Sequence, residues 1–411
     1  MRLPCLLYVT AAVTAVLGIL ILWAGPAQGM ARARTDTVQY TQRAFELAGD
    51  DNATASTRAV HFVCDDEVDY LKVSRDECER DTSGVLGFPS QYQAIFLARP
   101  GLPALMSVFI RAFGDQGIYM TILLLQIATG MLLVLAARTI GLPGLWPLAA
   151  EAAYFLLPSG YVGTRVLSEA ASAPGLVALL YAVTLIVRDR QGKTAIAIAA
   201  TAFAWLFAVR AADATVAAAF LLLVGTGASV VAKLRRRSQQ PWAMRLAAVS
   251  GFCLIAMIAT NTALSWPTVT QGVADIMTDH FTQPVTSDMY PRFLGAEFRF
   301  WRAFLPLIAG GAYLVALAAL GLWGVFSRLC GRAAAALLAV AAVGPASLAL
   351  HPGDWPRMLA PMWIVIAIGL PLLVAPLPAT ASPWPPTTAS PSPLQDLADP
   401  GNANRPSLGR H

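Results

Sequence analysis

Five polar side chains in this sequence could act together on a substrate: Asp36, Glu169, Arg210, Arg299 and Arg357. A carboxylate held at a membrane surface can serve as a general base that removes a proton from a hydroxyl. The planar fork of an arginine binds two phosphate oxygens at once. If these side chains meet on one face of the protein, they suit a substrate that carries a phosphate and a nucleophile that must be deprotonated.

Each of these residues also has a purely structural interpretation. Thr35 or Asp36 could cap a surface helix, with Gln39 three residues after Asp36 completing a capping box worth about 1 kcal/mol. Glu169 could form an ion pair with Arg165, one helical turn earlier. Arg210 could lie in a turn between two apolar runs. Position in the sequence therefore leaves both interpretations open.

Motifs of soluble enzymes do not occur in the chain. It has no GxSxG, Walker, HExxH or dinucleotide-binding pattern, and no spacing of Cys and His that predicts a metal site. Glu151 is the one acid predicted to lie inside the membrane, where it could have a structural partner or face a water-filled cavity. Any chemistry is therefore expected from polar residues at or within a membrane.

The composition is that of a membrane protein. Of the 411 residues, 56% are hydrophobic and 13% are charged, and the mean hydropathy is +0.58, whereas soluble domains carry about 25% charged residues. The isoelectric point near 9.1 comes from basic clusters at 188–193, 233–237 and 328–332, in short links between apolar runs. The positive-inside rule places such links in the cytoplasm, so the positive charge does not predict a nucleic-acid partner.

The apolar runs predict about ten membrane-spanning helices, since about 20 apolar residues cross the hydrocarbon core. They are residues 4–24, 117–137, 145–163, 173–187, 194–209, 212–232, 246–264, 303–325, 333–351 and 358–376. With a cytoplasmic amino terminus, the basic links fall on one side and nearly all acids on the other. We therefore expect an all-α integral membrane protein over residues 1–376, and a disordered, Pro- and Ser-rich cytoplasmic tail over residues 377–411.

Two predicted extracytoplasmic loops, residues 25–117 and 267–302, are too long to be simple connections. In the first loop, apolar residues at helical spacing predict a helix over 36–48, and residues 102–110 predict a second, interfacial or re-entrant helix. Cys64 and Cys78 lie in the same loop, where an oxidising compartment would let them form a disulfide. We expect this first loop to be a helical cap.

A series of short motifs follows the first apolar run. In chain order they are Asp36 with Tyr40 one turn later, 99–103 (RPGLP) running on to 113–114 (FG), 167–169 (LSE), Arg210, and 357–361 (RMLAP). This order resembles the GT-C superfamily of integral-membrane glycosyltransferases, which includes protein mannosyltransferases and bacterial enzymes that modify lipid A or cell-wall glycans. The resemblance covers most of residues 1–376. It departs from the family pattern at Thr37, where many members have a second acid, and in the acidic insert around Cys64 and Cys78.

The resemblance implies an enzyme of the bacterial plasma membrane that transfers a sugar, with inversion, at the outer face. The donor would be a polyprenyl-phosphate-linked sugar, and the acceptor a cell-envelope glycan, lipid or protein. Asp36 would be the general base, and Tyr40, Glu169, Arg210 and Arg357 would bind substrate, the two arginines at the lipid phosphate. The implied partners are membrane lipids, the lipid-linked sugar and the acceptor. A divalent metal remains an open alternative.

Two other functions compete with this one. A transporter or lipid-handling protein would have no transferase activity, and a membrane scaffold would use its outer cap to bind a partner. Transporters concentrate polar groups near the midplane, often at broken helices in two repeated halves. The sequence has no internal repeat and only Glu151 at that depth, so it favours the transferase.

Overall fold

The part of the chain that the structure describes is helical. The computed structural model describes residues 2–24, 35–71, 74–236, 240–329, 331–352 and 355–376, and within these ranges it contains nineteen helices and no β-strand. This agrees with the predicted all-α class. The predicted tail at 377–411 lies outside the described residues.

The helices fall into three consecutive groups along the chain. The first group is α1 (Arg2–Ala24), α2 (Thr35–Ala48), α3 (Asn52–Leu71), α4 (Arg75–Leu86), α5 (Ser90–Leu97) and α6 (Gly101–Phe113). The second is α7 (Gln116–Ile140), α8 (Trp146–Leu156), α9 (Pro158–Gly163), α10 (Ser168–Val187), α11 (Gly192–Leu234) and α12 (Pro241–Ala263). The third is α13 (Val269–Met277), α14 (Met289–Gly310), α15 (Ala312–Arg328), α16 (Gly331–Ala341), α17 (Val343–Leu350), α18 (Trp355–Met358) and α19 (Ala360–Val374).

Several of these helices are long and apolar enough to cross a membrane. Among the described residues they are α7, α10, α11, α12 and the α16–α17 pair, and α5 with α6 would be a sixth, bent by 74°. Shorter apolar helices occur at Leu7–Trp23, Ala312–Arg328 and Ala360–Val374. These helices indicate a membrane-embedded protein.

Large apolar side chains remain exposed along these helices. On α12, Phe252 and Ile255 are 72% and 70% exposed, and on α1 the exposed residues Val9, Val13 and Leu17 recur at four-residue spacing. Soluble proteins rarely expose contiguous apolar surfaces of this kind. Contact with lipid explains why these helices keep an apolar outer face.

Helix α11 is interrupted at Arg210, whose backbone angles of φ −154° and ψ 78° are not helical. At 1.5 Å per residue, its 43 residues would extend about 65 Å as a straight helix, about twice the thickness of the hydrocarbon core. The two predicted runs at 194–209 and 212–232 both belong to α11. Two helical segments therefore meet at Arg210, where the sequence predicted a turn.

Helix α10 forms the centre of the described helices and packs against α7, α11, α12 and α16. Its sequence is apolar on all sides, and nearly all its residues are buried, as expected of a helix surrounded by others. Small residues allow close packing: a Cβ atom at Gly175 would lie 2.8 Å from Trp205 of α11. This packing places the first residues of α10, Ser168 and Glu169, beside the interruption in α11.

Helices α2 to α6, here called the cap, form the predicted first loop. The apolar residues Tyr40 and Ala44 of α2 are fully buried, because α3 and α6 pack against α2. The same hydrophobic cluster continues into α4, α5, α7 and α10. The helical stripe predicted over 36–48 is thus buried against protein, which holds α2 firmly against the centre of the fold.

A disulfide joins Cys64 of α3 to Cys78 of α4. Replacing both cysteines by serine should lower the free energy of unfolding of the cap by about 3 kcal/mol, since the crosslink restricts the unfolded chain. Thermal unfolding of the purified protein, with limited proteolysis at the α3–α4 connection, would measure this loss. A reductant should destabilise the wild-type protein and leave the double variant unchanged; equal sensitivity of both proteins would contradict the prediction.

Candidate functional site

Four of the predicted site residues lie in one connected series of ion pairs. Arg357 on α18 donates from Nη1 to Oδ2 of Asp36 and from Nε to Oε1 of Glu169, each at 2.9 Å. Asp36 is in the first turn of α2, and Glu169 is in the first turn of α10. Arg357 thereby connects two carboxylates from distant parts of the chain.

The series continues from Glu169 into α11. Arg210 donates from Nη1 to Oε1 of Glu169 at 2.5 Å, and its Nε lies 2.9 Å from Oδ2 of Asp213. Oδ1 of Asp213 accepts a hydrogen bond of 2.9 Å from Ser347 on α17. We call Asp36, Arg357, Glu169, Arg210 and Asp213 the ion chain.

Exposure differs along the ion chain. The side chains of Glu169 and Asp213 are 1% exposed, and those of Arg210 and Arg357 are 12% and 13% exposed. The side chain of Asp36 is 29% exposed, which makes it the most accessible member. A molecule that approaches the ion chain from solvent would therefore meet Asp36 first.

Neighbouring hydrogen bonds position Asp36. The hydroxyl of Thr37 donates to the carbonyl of Val166, just before α10, at 2.9 Å. Gln39 donates to the carbonyl of Val85 at the end of α4, at 3.1 Å. The amide nitrogen of Gln39 thus ties α2 to α4, and the capping box stays a prediction. Both bonds fix the start of α2 relative to Glu169.

The predicted ion pair between Arg165 and Glu169, one helical turn apart, is wrong. Oε1 of Glu169 accepts from Arg210 and Arg357, while the guanidinium of Arg165 lies over the ring of Tyr161 at 4.3 Å. Tertiary partners thus replace the neighbour one turn away. Asp354, which the sequence groups with Arg357, lies outside the described residues.

Arg99 is a site residue for which sequence analysis assigned no role. It lies at the bend between α5 and α6 and donates from Nη1 to the hydroxyl of Tyr40 at 2.9 Å. Tyr40 is fully buried and packs edge-on against Phe96. Arg99 also interacts electrostatically with Asp36 and Glu169. The sequence signal that could have identified Arg99 is its position beside the Pro-Gly bend at 100–101. Its hydrogen bond also means that the Tyr40 hydroxyl already has a partner in the protein.

His351 follows the end of α17 and faces the same group of charges. Burial, together with the positive charges of Arg99, Arg210 and Arg357, lowers the pKa of His351 to about 4. The imidazole is therefore neutral at physiological pH and adds no charge to the ion chain.

Two other predicted residues lie apart from the ion chain. Arg299 is on α14 and lines a separate cavity with Arg292. Glu151 on α8 is fully buried near Gly130 of α7, and its carboxylate oxygens have no hydrogen-bond partner within the described residues. Within those residues, no group of three or more His, Cys, Asp or Glu side chains could hold a metal ion.

The chain matches no protein-family model, no curated protein and no solved structure. The resemblance to the GT-C superfamily therefore stays a prediction from sequence motifs. Function has to be argued from the geometry of the ion chain.

Replacing Glu169 by Gln should lower the free energy of unfolding by about 3 kcal/mol or more, because two partly buried guanidinium groups would lose their shared carboxylate. Asp36→Asn should cost less than about 1 kcal/mol, since Asp36 is the exposed end of the series. Denaturant or thermal unfolding in detergent would compare the two variants. Equal destabilisation would contradict the unequal burial on which the prediction depends.

Stability should also fall as the pH is lowered from about 6.5 to about 4. The unfolded chain binds a proton at His351 near the ordinary value of 6.5, whereas the folded protein does so only near 4, so acid favours the unfolded state over this window. His351→Asn should flatten this part of the stability curve. His61→Asn, which changes an exposed histidine of α3, is the matched control and should keep the wild-type slope. A wild-type slope in His351→Asn would refute the assignment.

Proposed function

We propose that this protein transfers a sugar from a polyprenyl-phosphate donor to a hydroxyl of a cell-envelope glycan, lipid or protein, with Asp36 as the general base. The supporting observation is the ion chain, in which Asp36, Glu169, Arg210 and Arg357 converge from four separate segments. The proposal includes the predicted topology of about ten spans in a bacterial plasma membrane. Both termini would be cytoplasmic, and the ion chain would lie at the outer side.

The environment of Asp36 suits a base. Arg357 engages Oδ2 of its carboxylate, and Oδ1 makes no hydrogen bond to the described residues. A carboxylate with one oxygen held and the other available can receive a proton without losing its orientation. The partial exposure of Asp36 would allow an acceptor hydroxyl to reach Oδ1.

The proposed step is a single displacement at the anomeric carbon of the donor sugar. The acceptor hydroxyl would give its proton to Asp36 while its oxygen attacks the anomeric carbon of the donor sugar. The bond between that carbon and the phosphate oxygen would break, and the polyprenyl phosphate would leave with the bonding electrons. Attack opposite to the leaving group inverts the configuration at the anomeric carbon.

The arginines of the ion chain would act on Asp36 and on the developing phosphate charge. In the structure each of these two arginines donates to two carboxylates. When Asp36 accepts a proton, its attraction for Arg357 falls, since a neutral carboxyl no longer forms an ion pair. The hold of Arg357 on Asp36 would then weaken as the leaving phosphate gains negative charge.

Asp36→Asn should lower the rate of transfer by at least about 100-fold, the usual contribution of a general base. The amide keeps the size of the side chain and removes its basicity. Transfer of radiolabelled sugar from a polyprenyl-phosphate donor, by protein reconstituted in vesicles, would measure the rate. Asp76→Asn, which changes an exposed acid in the first turn of α4, is the matched control and should keep full activity.

Full activity of Asp36→Asn would overturn the base assignment. The buried carboxylate of Glu151, which has no hydrogen-bond partner among the described residues, favours transport as the second candidate function, because ionisable groups inside a membrane often mark a proton or substrate path. Transport without sugar transfer, abolished by Glu151→Gln and retained by Asp36→Asn, would support that second function against the first.

A further inference from the structure

A second polar site lies between helices α13 and α14, outside the ion chain. It is a cavity of about 650 Å³ whose lining includes Arg292 and Arg299 of α14 with Asp279 and Gln283 from the preceding connection. We call it the α13–α14 cavity. Two guanidinium groups against one carboxylate give its lining a net positive charge.

The arginines of this cavity are available to a ligand. Both side chains are exposed. Arg299 forms no ion pair or hydrogen bond with the described residues, and Arg292 makes a single long hydrogen bond of 3.3 Å to Thr286. By contrast, Arg210 and Arg357 are held by carboxylates. An anion would therefore find available guanidinium donors in this cavity, whereas in the ion chain it would first have to displace carboxylates.

Gly295 lies between the two arginines in the sequence of α14 and lines the same cavity. Arg292, Gly295 and Arg299 follow each other at three- and four-residue spacing, so they share one face of α14. A Cβ atom at Gly295 would lie 3.4 Å from Nη1 of Arg299. Gly295 therefore lines the cavity beside Arg299 without a side chain of its own.

The opposite face of α14 carries exposed apolar side chains. They are Tyr290, Leu294, Phe298, Trp301 and Leu305, which recur at helical spacing and are between 37% and 69% exposed. A helix with an exposed apolar face and arginines on its polar face is typical of the membrane interface. Helix α14 also leads directly into the apolar helix α15. Lipid is therefore the neighbour that explains the exposed face.

We propose that the α13–α14 cavity binds the phosphate headgroup of a membrane lipid, with Arg292 and Arg299 as its donors. The two guanidinium groups would hold the phosphate oxygens, and the lipid chains would extend from the cavity into the bilayer that also contacts the apolar face of α14. This site stands whether or not the protein transfers sugar.

The test measures binding without any sugar donor. The full chain, labelled and purified in detergent, would be titrated with dioctanoyl phosphatidate by microscale thermophoresis. We expect saturable binding that weakens about tenfold or more in the variant R292Q/R299Q, since each lost arginine removes charge-assisted hydrogen bonds. R43Q/R80Q loses the same charge from exposed positions in the cap and should bind like the wild type.

Two further titrations separate the sources of the phosphate. Dioctanoylglycerol has the same chains and no phosphate, and it should bind at least tenfold more weakly than phosphatidate. Inorganic phosphate should compete only at much higher concentration; equal affinity for inorganic phosphate and phosphatidate would overturn the assignment to a lipid. Unchanged phosphatidate binding in R292Q/R299Q would overturn the site itself. Because no sugar is present, neither result depends on whether Asp36 is a base.

Discussion

The structure around the site depends on one buried carboxylate, that of Glu169, which accepts hydrogen bonds from Arg357 and Arg210 through a single oxygen. Removing a carboxylate from water costs several kcal/mol unless charged partners compensate for it. Those partners lie 41 and 188 residues away along the chain. Burial of Glu169 in the first turn of α10 therefore requires α11 and α18 to lie close to it. Arg357 also binds Asp36, so the start of α2 lies at the same place.

The arginines around this carboxylate share a backbone feature. Arg99 is at the 74° bend between α5 and α6, Arg210 is at the interruption of α11, and Arg357 is in the four-residue helix α18. Interrupted helices are tolerated inside a membrane protein where their free polar groups face protein or a cavity and not lipid. Each break turns an arginine toward the same acids, so the interruptions and the ion chain are two consequences of one arrangement.

The helical elements and several site residues could be predicted because their signals are local. Apolar periodicity indicated the helix at 36–48, and the acids and arginines were conspicuous in a chain with few charges. The partners of those charges could not be predicted. Arg165 has the i, i+4 spacing to Glu169 that favours an ion pair within one helix, whereas the observed partners, Arg210 and Arg357, are close to Glu169 only in the folded structure. Arg99 was missed for the same reason: its partner, Tyr40, is 59 residues away, and no local pattern connects them.

The balance of charge in the ion chain bears on where a phosphate can be held. Its three carboxylates face Arg210 and Arg357, with Arg99 close by, so positive and negative groups are equal in number and His351 adds none. A group of this kind has no excess positive charge to attract a resting phosphate, and it gains one only when a carboxylate takes up a proton. Excess positive charge is present instead in the α13–α14 cavity. A balanced site for proton transfer and a separate cationic site for an anion are compatible with each other, because an anion held by Arg292 and Arg299 does not have to displace the carboxylates of the ion chain.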